Sequence, residues 1–135
     1  MEKRQLMYRV LVTGDRNWPK EEAPHIWERL DKLDREIGIS VIVEGCARGV
    51  DRFAEFWAEK RDKQILHFPA DWDNPKYRRA DTGKSFAGNI RNTEMLELGE
   101  PDIVYAFHHD FENSRGTKDM VNKALKAGIE VLFCD

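Results

Sequence analysis

Short β-branched runs that alternate with longer segments of helical period constrain this chain more than any other feature. The runs predict strands at roughly 8–14, 40–44, 64–69, 102–107 and 129–133, because Val, Ile, Tyr and Phe suit a pleated, buried surface. Between them, apolar residues return every three or four positions: Ile26, Leu30, Leu33 and Ile37 in one segment, Val50, Phe53, Ala54 and Trp57 in the next. That spacing is one buried face of a helix. Residues 86–98 and 116–127 supply two further helices, the second closed by Gly128, whose tolerance of positive φ suits a helix stop. The order βαβαβαβαβ predicts an α/β, Rossmann-like three-layer fold with a mainly parallel sheet of about five strands, since parallel neighbours need crossovers and the helices provide them. The 135 residues suffice for one core and are too few to divide comfortably, so a single domain over 1–135 is expected.

Sheets wound in this way bind ligands beyond the carboxyl ends of the strands, beside the point where strand order reverses. The strand-end loops are therefore the places to look. They read TGDRNW after the first strand, EGCARGVD after the second, PADWDNP after the third and HHDFENSRGT after the fourth. Each is richer in Gly, Asp, Arg or Asn than a turn requires. The connector from Ala70 to Ala87 is long for a compact domain, which suggests either a functional flap or a partly mobile loop, and it carries Lys76, Arg78, Arg79 and Lys84.

A glycine-bearing turn that opens a helix gathers unpaired N–H groups and the positive end of the helix dipole, and so favours an anion. Gly14, Asp15 and Arg16 follow the first strand. Gly45 and Gly49 flank the second helix start, where Arg48 offers a forked donor and Asp51 a helix cap or an acceptor for a ribose hydroxyl. Gly116 and Thr117 open the last helix, with Thr117 either an N-cap or a phosphate donor. Arg91 and Asn92 lie near a third helix start. Taken singly, each of these turns reads equally well as plain structure; two anion-friendly helix starts on one sheet edge point to a ligand. Of the tryptophans, Trp27 and Trp57 fall on core faces, Trp18 divides evenly between core and ligand, and Trp72 leans towards stacking on a base because ADWDNP has no apolar period.

Composition narrows the function classes. A formal net charge of -3 lacks the cationic surplus of a protein held mainly by nucleic-acid phosphates, although the Lys76–Lys84 stretch is a local basic patch. Cys46 and Cys134 lie far apart with no zinc-ligand spacing, and the neighbours His108 and His109 at a strand end would point apart, so no metal site and no cofactor are expected. No apolar run is long enough to span a bilayer, and the charged start MEKRQLMYRV lacks a signal-peptide core, which together predict a cytoplasmic protein.

The segments VLVTGDRNW, VIVEGCARGVDRFAEFWA, FPADW, GKSFAGNIRNTEM, DIVYAF and RGTKDMVNKALKAGIEV together resemble the YpsA-related branch of the SLOG superfamily of Rossmann-like proteins, over nearly the whole chain. GCARGVD is also similar to the SG-x-A-x-GID signature of DprA, and RGT to the GT of the PGG-x-GT-x-x-E motif in the LOG phosphoribohydrolases. The resemblance implies recognition of a nucleotide or nucleotide-derived ligand at these loops and, with the apolar MLEL helix end, a homodimer. The glutamate that serves catalysis in the LOG enzymes falls here on Met120, and PGG is replaced by NSR. A methionine cannot act as acid or base. The expectation is therefore a binding or sensing domain whose site comprises Gly14, Asp15, Arg16, Gly45, Arg48, Gly49, Asp51, Trp72, Arg91, Asn92, Gly116 and Thr117. Two alternatives stand beside it: a hydrolase of an N-glycosidic or phosphate bond using Glu94, Asp71 or Asp119, and a single-strand DNA binder of the DprA kind.

Overall fold

A computed structural model describes residues 8–135; the charged start from Met1 to Met7, read above as lacking a signal-peptide core, lies outside the described residues. Five strands, β1 (Tyr8–Gly14), β2 (Ile39–Glu44), β3 (Gln64–His67), β4 (Ile103–Phe107) and β5 (Glu130–Cys134), form one sheet in the order β3-β2-β1-β4-β5. Every pairing is parallel. The crossovers are four helices, α1 (Ala23–Ile37), α2 (Val50–Lys60), α3 (Ala87–Gly99) and α4 (Gly116–Lys126). The arrangement is the three-layer, Rossmann-like α/β fold. β3 stops at His67, two residues short of the sequence expectation: Phe68 still donates its N–H to the Glu44 carbonyl at 3.0 Å, but Pro69 has no N–H with which to continue.

The period of two along each strand sorts the core into two layers. Val10, Val12, Ile42, Tyr105 and Phe107 face α1 and α2 and pack with Ile26, Leu30, Ala54 and Trp57. Leu11, Val41, Val43 and Val104 face the opposite way, against Met95 of α3 and Met120 and Ala124 of α4. Both faces of the central strands are thus covered, which is why they read as unbroken apolar runs rather than as alternating ones. α1 and α2 are tied by Asp31, which accepts from Trp57 Nε1 at 2.9 Å and from Arg61 Nε at 2.6 Å. Trp18 is buried at 3% exposure and stacks on His109, which resolves its even sequence reading in favour of the core.

α3 has no apolar stripe of helical period because its inner face changes character along its length. Its C-terminal half lies on the sheet, where Gly99 approaches Val43 so closely that a Cβ would stand 2.9 Å from a Val43 methyl. Its first turns bury Arg91 and Asn92 instead. The connector between β3 and α3 contains a 3₁₀ turn at Pro75–Tyr77 and an isolated antiparallel bridge between Arg78 and Ser85. Among the described residues, no helix is long and apolar enough to cross a membrane.

Gly49 is the backbone position on which the β2–α2 turn depends. Its φ of 77° and ψ of -129° lie in a region that residues with a Cβ avoid, and a Cβ there would run into the carbonyls of Asp15 and Arg16. Gly49→Ala should therefore lower stability by about 1–3 kcal/mol from backbone strain alone. The check is the urea midpoint at constant m-value; an unchanged midpoint would mean that the turn relaxes freely.

Candidate functional site

The strand order reverses between β1 and β4, whose carboxyl ends are Gly14 and Phe107. Gly14 is required there because a Cβ would overlap the Phe107 carbonyl, and the chain turns away as Asp15 donates its N–H to that same carbonyl at 3.0 Å. Above this point lies a cavity of about 470 Å³. Its walls are Thr13 to Asn17 after β1, Ala47 and Asp51 at the start of α2, Trp72 of the connector between β3 and α3, the first turns of α3 and α4, and His108.

The loop between β2 and α2 has the glycines of an anion cradle, but the protein fills that cradle itself. Asp51, one residue into α2, turns back so that its Oδ2 accepts the N–H groups of Gly45 at 3.1 Å and Ala47 at 3.2 Å. The N–H of Cys46 goes to Glu44 Oε1 at 2.6 Å, and that of Val50 to the Asp15 carbonyl at 3.2 Å. The Asp51 carboxylate thus occupies the position that an external anion would take. Burial pushes its carboxyl up to about 7, with the N–H group of Ala47 opposing and buried Glu44 reinforcing the rise.

Arg91 closes the other side of this loop. Its Nη1 donates to the Gly45 carbonyl at 2.5 Å and its Nε to Asn92 Oδ1 at 3.1 Å. Gly45 must lack a side chain because a Cβ would meet the Arg91 guanidinium, with Asp51 Oδ2 only 3.1 Å away. Arg91 is 8% exposed and lines the cavity; its partners are neutral oxygens, and burial holds its guanidinium below the usual arginine range. Asn92 continues the chain of contacts to α4, donating from Nδ2 to the Gly116 carbonyl at 3.1 Å and to Asp119 Oδ2 at 3.0 Å.

The start of α4 differs from that of α2. No side chain caps it; Thr117 lies inside the first turn, buried, so it is not the N-cap. Gly116 and Thr117 line the cavity beside Ser114 and Arg115. An added Cβ on Gly116 would meet nothing within 4 Å, so the glycine is not required by packing and its surface faces open space. Trp72 stands across the cavity, 42% exposed, with the Arg16 guanidinium 5.2 Å from its ring centroid.

Of the residues read from sequence, Gly14, Asp15, Arg16, Asp51, Trp72, Arg91, Asn92, Gly116 and Thr117 meet around this cavity. Arg48 lies elsewhere: exposed, donating to Asn17 Oδ1 at 3.1 Å, it borders a shallow depression shared by Gly45, Arg16, Arg52, Trp72 and Arg91. Gly49 lines neither space and acts through the turn. Glu94, Asp71 and Asp119 are all off the cavity wall. Glu94 is exposed, Asp71 accepts from Asn74 Nδ2 at 3.0 Å, and Asp119 pairs with Lys123 at 2.9 Å. Met120 is wholly buried under the sheet, in a position no ligand reaches. Sequence reasoning missed His108, which is mostly buried on the cavity wall with Nδ1 4.0 Å from Asp15. It also missed Asn89, Ser114 and Arg115. A signal existed for His108 as the first residue after β4 at the switch point; the others depend on how two helix starts converge.

Residues 8–74 match the model of the YspA, cpYpsA-related SLOG family. The chain is 37% identical over 130 residues to the gene 61 protein of Mycobacterium phage D29, covering 93% of this chain and 95% of that protein. Among solved structures, DNA processing protein A (DprA) of Streptococcus pneumoniae superposes with a TM-score of 0.69 at 20% identity, over 96% of this chain and 51% of that one. This chain thus spans about half the length of DprA. MurG of Acinetobacter baumannii gives a TM-score of 0.51 at 10% identity, over 93% of this chain and 34% of that one. At these identities both likenesses are of the fold alone.

The buried Asp51 sets a pH dependence whose sign follows from its raised value. A carboxyl that holds its proton more tightly folded than unfolded contributes stability that is complete below the ordinary aspartate value of 3.8 and is lost as pH rises through about 7. The ceiling on this contribution is roughly 4 kcal/mol at one unit per 1.4 kcal/mol. Asp51→Asn keeps an acceptor for the Gly45 and Ala47 N–H groups and removes the titration. Urea unfolding at a series of pH values between 4 and 7 should show a flatter profile for this variant than for the parent; parallel profiles would remove Asp51 as the group responsible.

Proposed function

The chain belongs to the YspA, cpYpsA-related SLOG family, and from the cavity at its switch point we propose that it binds a nucleotide-derived ligand, as a sensing or sequestering domain. The observation that carries the reading is Arg91: a buried guanidinium on the cavity wall whose hydrogen bonds go to a carbonyl and an amide rather than to a carboxylate. A buried cation without a countercharge in contact favours an anionic ligand. The uncapped start of α4 adds N–H groups and the positive end of a helix dipole on the facing wall. In this reading phosphate oxygens sit at Gly116 and Thr117, on the cavity wall shared with Arg115 and Arg91, and the base stacks on Trp72, which is partly exposed on the same cavity. Binding is favoured over hydrolysis because Glu94, Asp71 and Asp119, the acid–base candidates read from the sequence, stand away from the cavity, while Asp15 and Asp51, which do line it, are engaged with the backbone N–H groups of Asn17 and of Gly45 and Ala47.

A second reading, single-strand nucleic acid as the ligand, is favoured by one feature. Arg16, Arg48, Arg52 and Arg91 line the shallow depression that adjoins the cavity through Trp72, so an aromatic platform lies beside a local cationic surface. Salt separates the two: phosphate-held strands lose affinity steeply as ionic strength rises, whereas a mononucleotide held by stacking and backbone donors loses much less.

The test is a thermal-shift and calorimetric screen of purine and pyrimidine mononucleotides and of short oligonucleotides. A ligand present at a hundred times its Kd should raise stability by about 2.7 kcal/mol. Trp72→Ala should weaken binding by about 1–3 kcal/mol, and Gly116→Val should weaken it by filling the space beside the α4 N–H groups. Gly116→Val should leave the melting temperature of the free protein unchanged, since Gly116 faces open space, and Trp72→Ala should lower it only slightly, by the loss of the contact with Arg16, since 42% of Trp72 is already exposed. Full affinity retained in both variants would place the site elsewhere.

A further inference from the structure

Outside the cavity, the ends of β2 and β3 bring together three side chains, one of which is distant in sequence from the other two. Glu44 and His67 are register partners on adjacent strands, and Cys46 follows two residues after Glu44. His67 Nδ1 lies 2.6 Å from Glu44 Oε2; Cys46 Sγ lies 3.7 Å from the same oxygen and 3.8 Å from the imidazole nitrogen. Glu44 is wholly buried, Cys46 partly so, and His67 about half exposed. None of the three lines the cavity assigned above.

From this convergence we infer that Glu44, Cys46 and His67 form a binding site for a divalent transition metal of zinc type, with the fourth coordination position open to solvent. A carboxylate, a thiolate and an imidazole are the donor mixture that zinc selects, and hard cations such as magnesium and calcium avoid a sulfur ligand. The distances agree with the chemistry. With bonds of about 2.0–2.1 Å to nitrogen and oxygen and about 2.3 Å to sulfur, a tetrahedral set holds its ligand atoms roughly 3.3–3.7 Å apart. The edges that involve sulfur, 3.7 Å to Glu44 and 3.8 Å to His67, lie at or just beyond the upper end of that range. The Glu44–His67 edge is shorter because a proton bridges it, and it opens by under about 1 Å when a metal takes the proton's place. Three protein ligands leave a position for water, the pattern of an open rather than a closed structural centre.

The backbone supplies a second observation. Cys46 has a φ of 64°, in the left-handed region where glycine is the easy choice and a side chain is tolerated at a cost. Strain of this kind is kept where the side chain has work to do. A role as a bare nucleophile fits poorly, because burial and the neighbouring Glu44 push the thiol up to about 11.

Cobalt(II) reports such a site directly. The full chain, stripped with a chelator and titrated with cobalt(II), should take up one equivalent with a thiolate-to-metal charge-transfer band in the near ultraviolet and the strong visible bands of tetrahedral cobalt; zinc should bleach both. Cys46→Gly should abolish the charge-transfer band without destabilising the metal-free protein, since glycine relieves the positive φ. Cys134→Ser, altering the chain's other cysteine, should leave the band intact. His67→Gln should raise the half-saturating cobalt concentration at least about tenfold. Cobalt bound without the charge-transfer band, a band that survives Cys46→Gly, or no uptake at all would each overturn the assignment.

Discussion

The hydrogen bond from Arg91 to the Gly45 carbonyl is the contact on which the ligand-facing end of this molecule depends. Burying a guanidinium is costly unless its donors are satisfied, and here satisfaction comes from two different elements: the carbonyl at the end of β2 and the Asn92 side chain, which in turn reaches the first turn of α4. One side chain on α3 thereby sets the spacing between the β2–α2 loop and the start of α4. The same contact explains Gly45, whose missing Cβ makes room for the guanidinium. It also explains why α3 lacks an apolar stripe: half of its inner face serves this network and half serves the core.

Asp51 and Arg91 sit on opposite sides of Gly45 and divide the work of the loop. Asp51 holds the loop's N–H groups inward, in the place an external anion would take; Arg91 faces the cavity with its charge uncompensated by contact with a carboxylate. Two helix starts that look alike in sequence are therefore unlike in structure. The start of α2 is closed by its own carboxylate, and the start of α4 is uncapped beside open space. An external phosphate gains most from the second, where no internal anion competes for the donors.

The edge formed by β2 and β3 carries a separate chemistry. Parallel pairing places Glu44 beside His67, and the tight turn after Glu44 returns Cys46 to the same spot. A wholly buried glutamate at a strand end must find partners, and the partners it finds are metal-ligand types. Parallel neighbours are joined by a helix, so residues that pair across the sheet are always distant in sequence. Spacing rules built on Cys-x-x-Cys and on local histidine pairs cannot register a site of this kind.

The sequence alone determined the alternation of strands and helices, the buried faces of α1 and α2, the parallel three-layer architecture and the edge of the sheet at which ligand-facing residues collect. These follow from local periodicity and from the few ways in which such elements can pack. Gly14, Arg91 and Gly116 were legible as members of one edge because each falls at a strand end or a helix start. Only the tertiary structure decided what each does there. It turned Asp51 inward onto Gly45 and Ala47, sent Arg48 to the outer depression, put Trp18 in the core and left Trp72 open. It brought His108 onto the cavity wall and joined Glu44, Cys46 and His67. The physical reason is that propensity and periodicity are properties of neighbours along the chain. Whether a donor is free or occupied, and whether a charge is compensated, depends on atoms that only the packing of the sheet and its helices brings within a few ångströms.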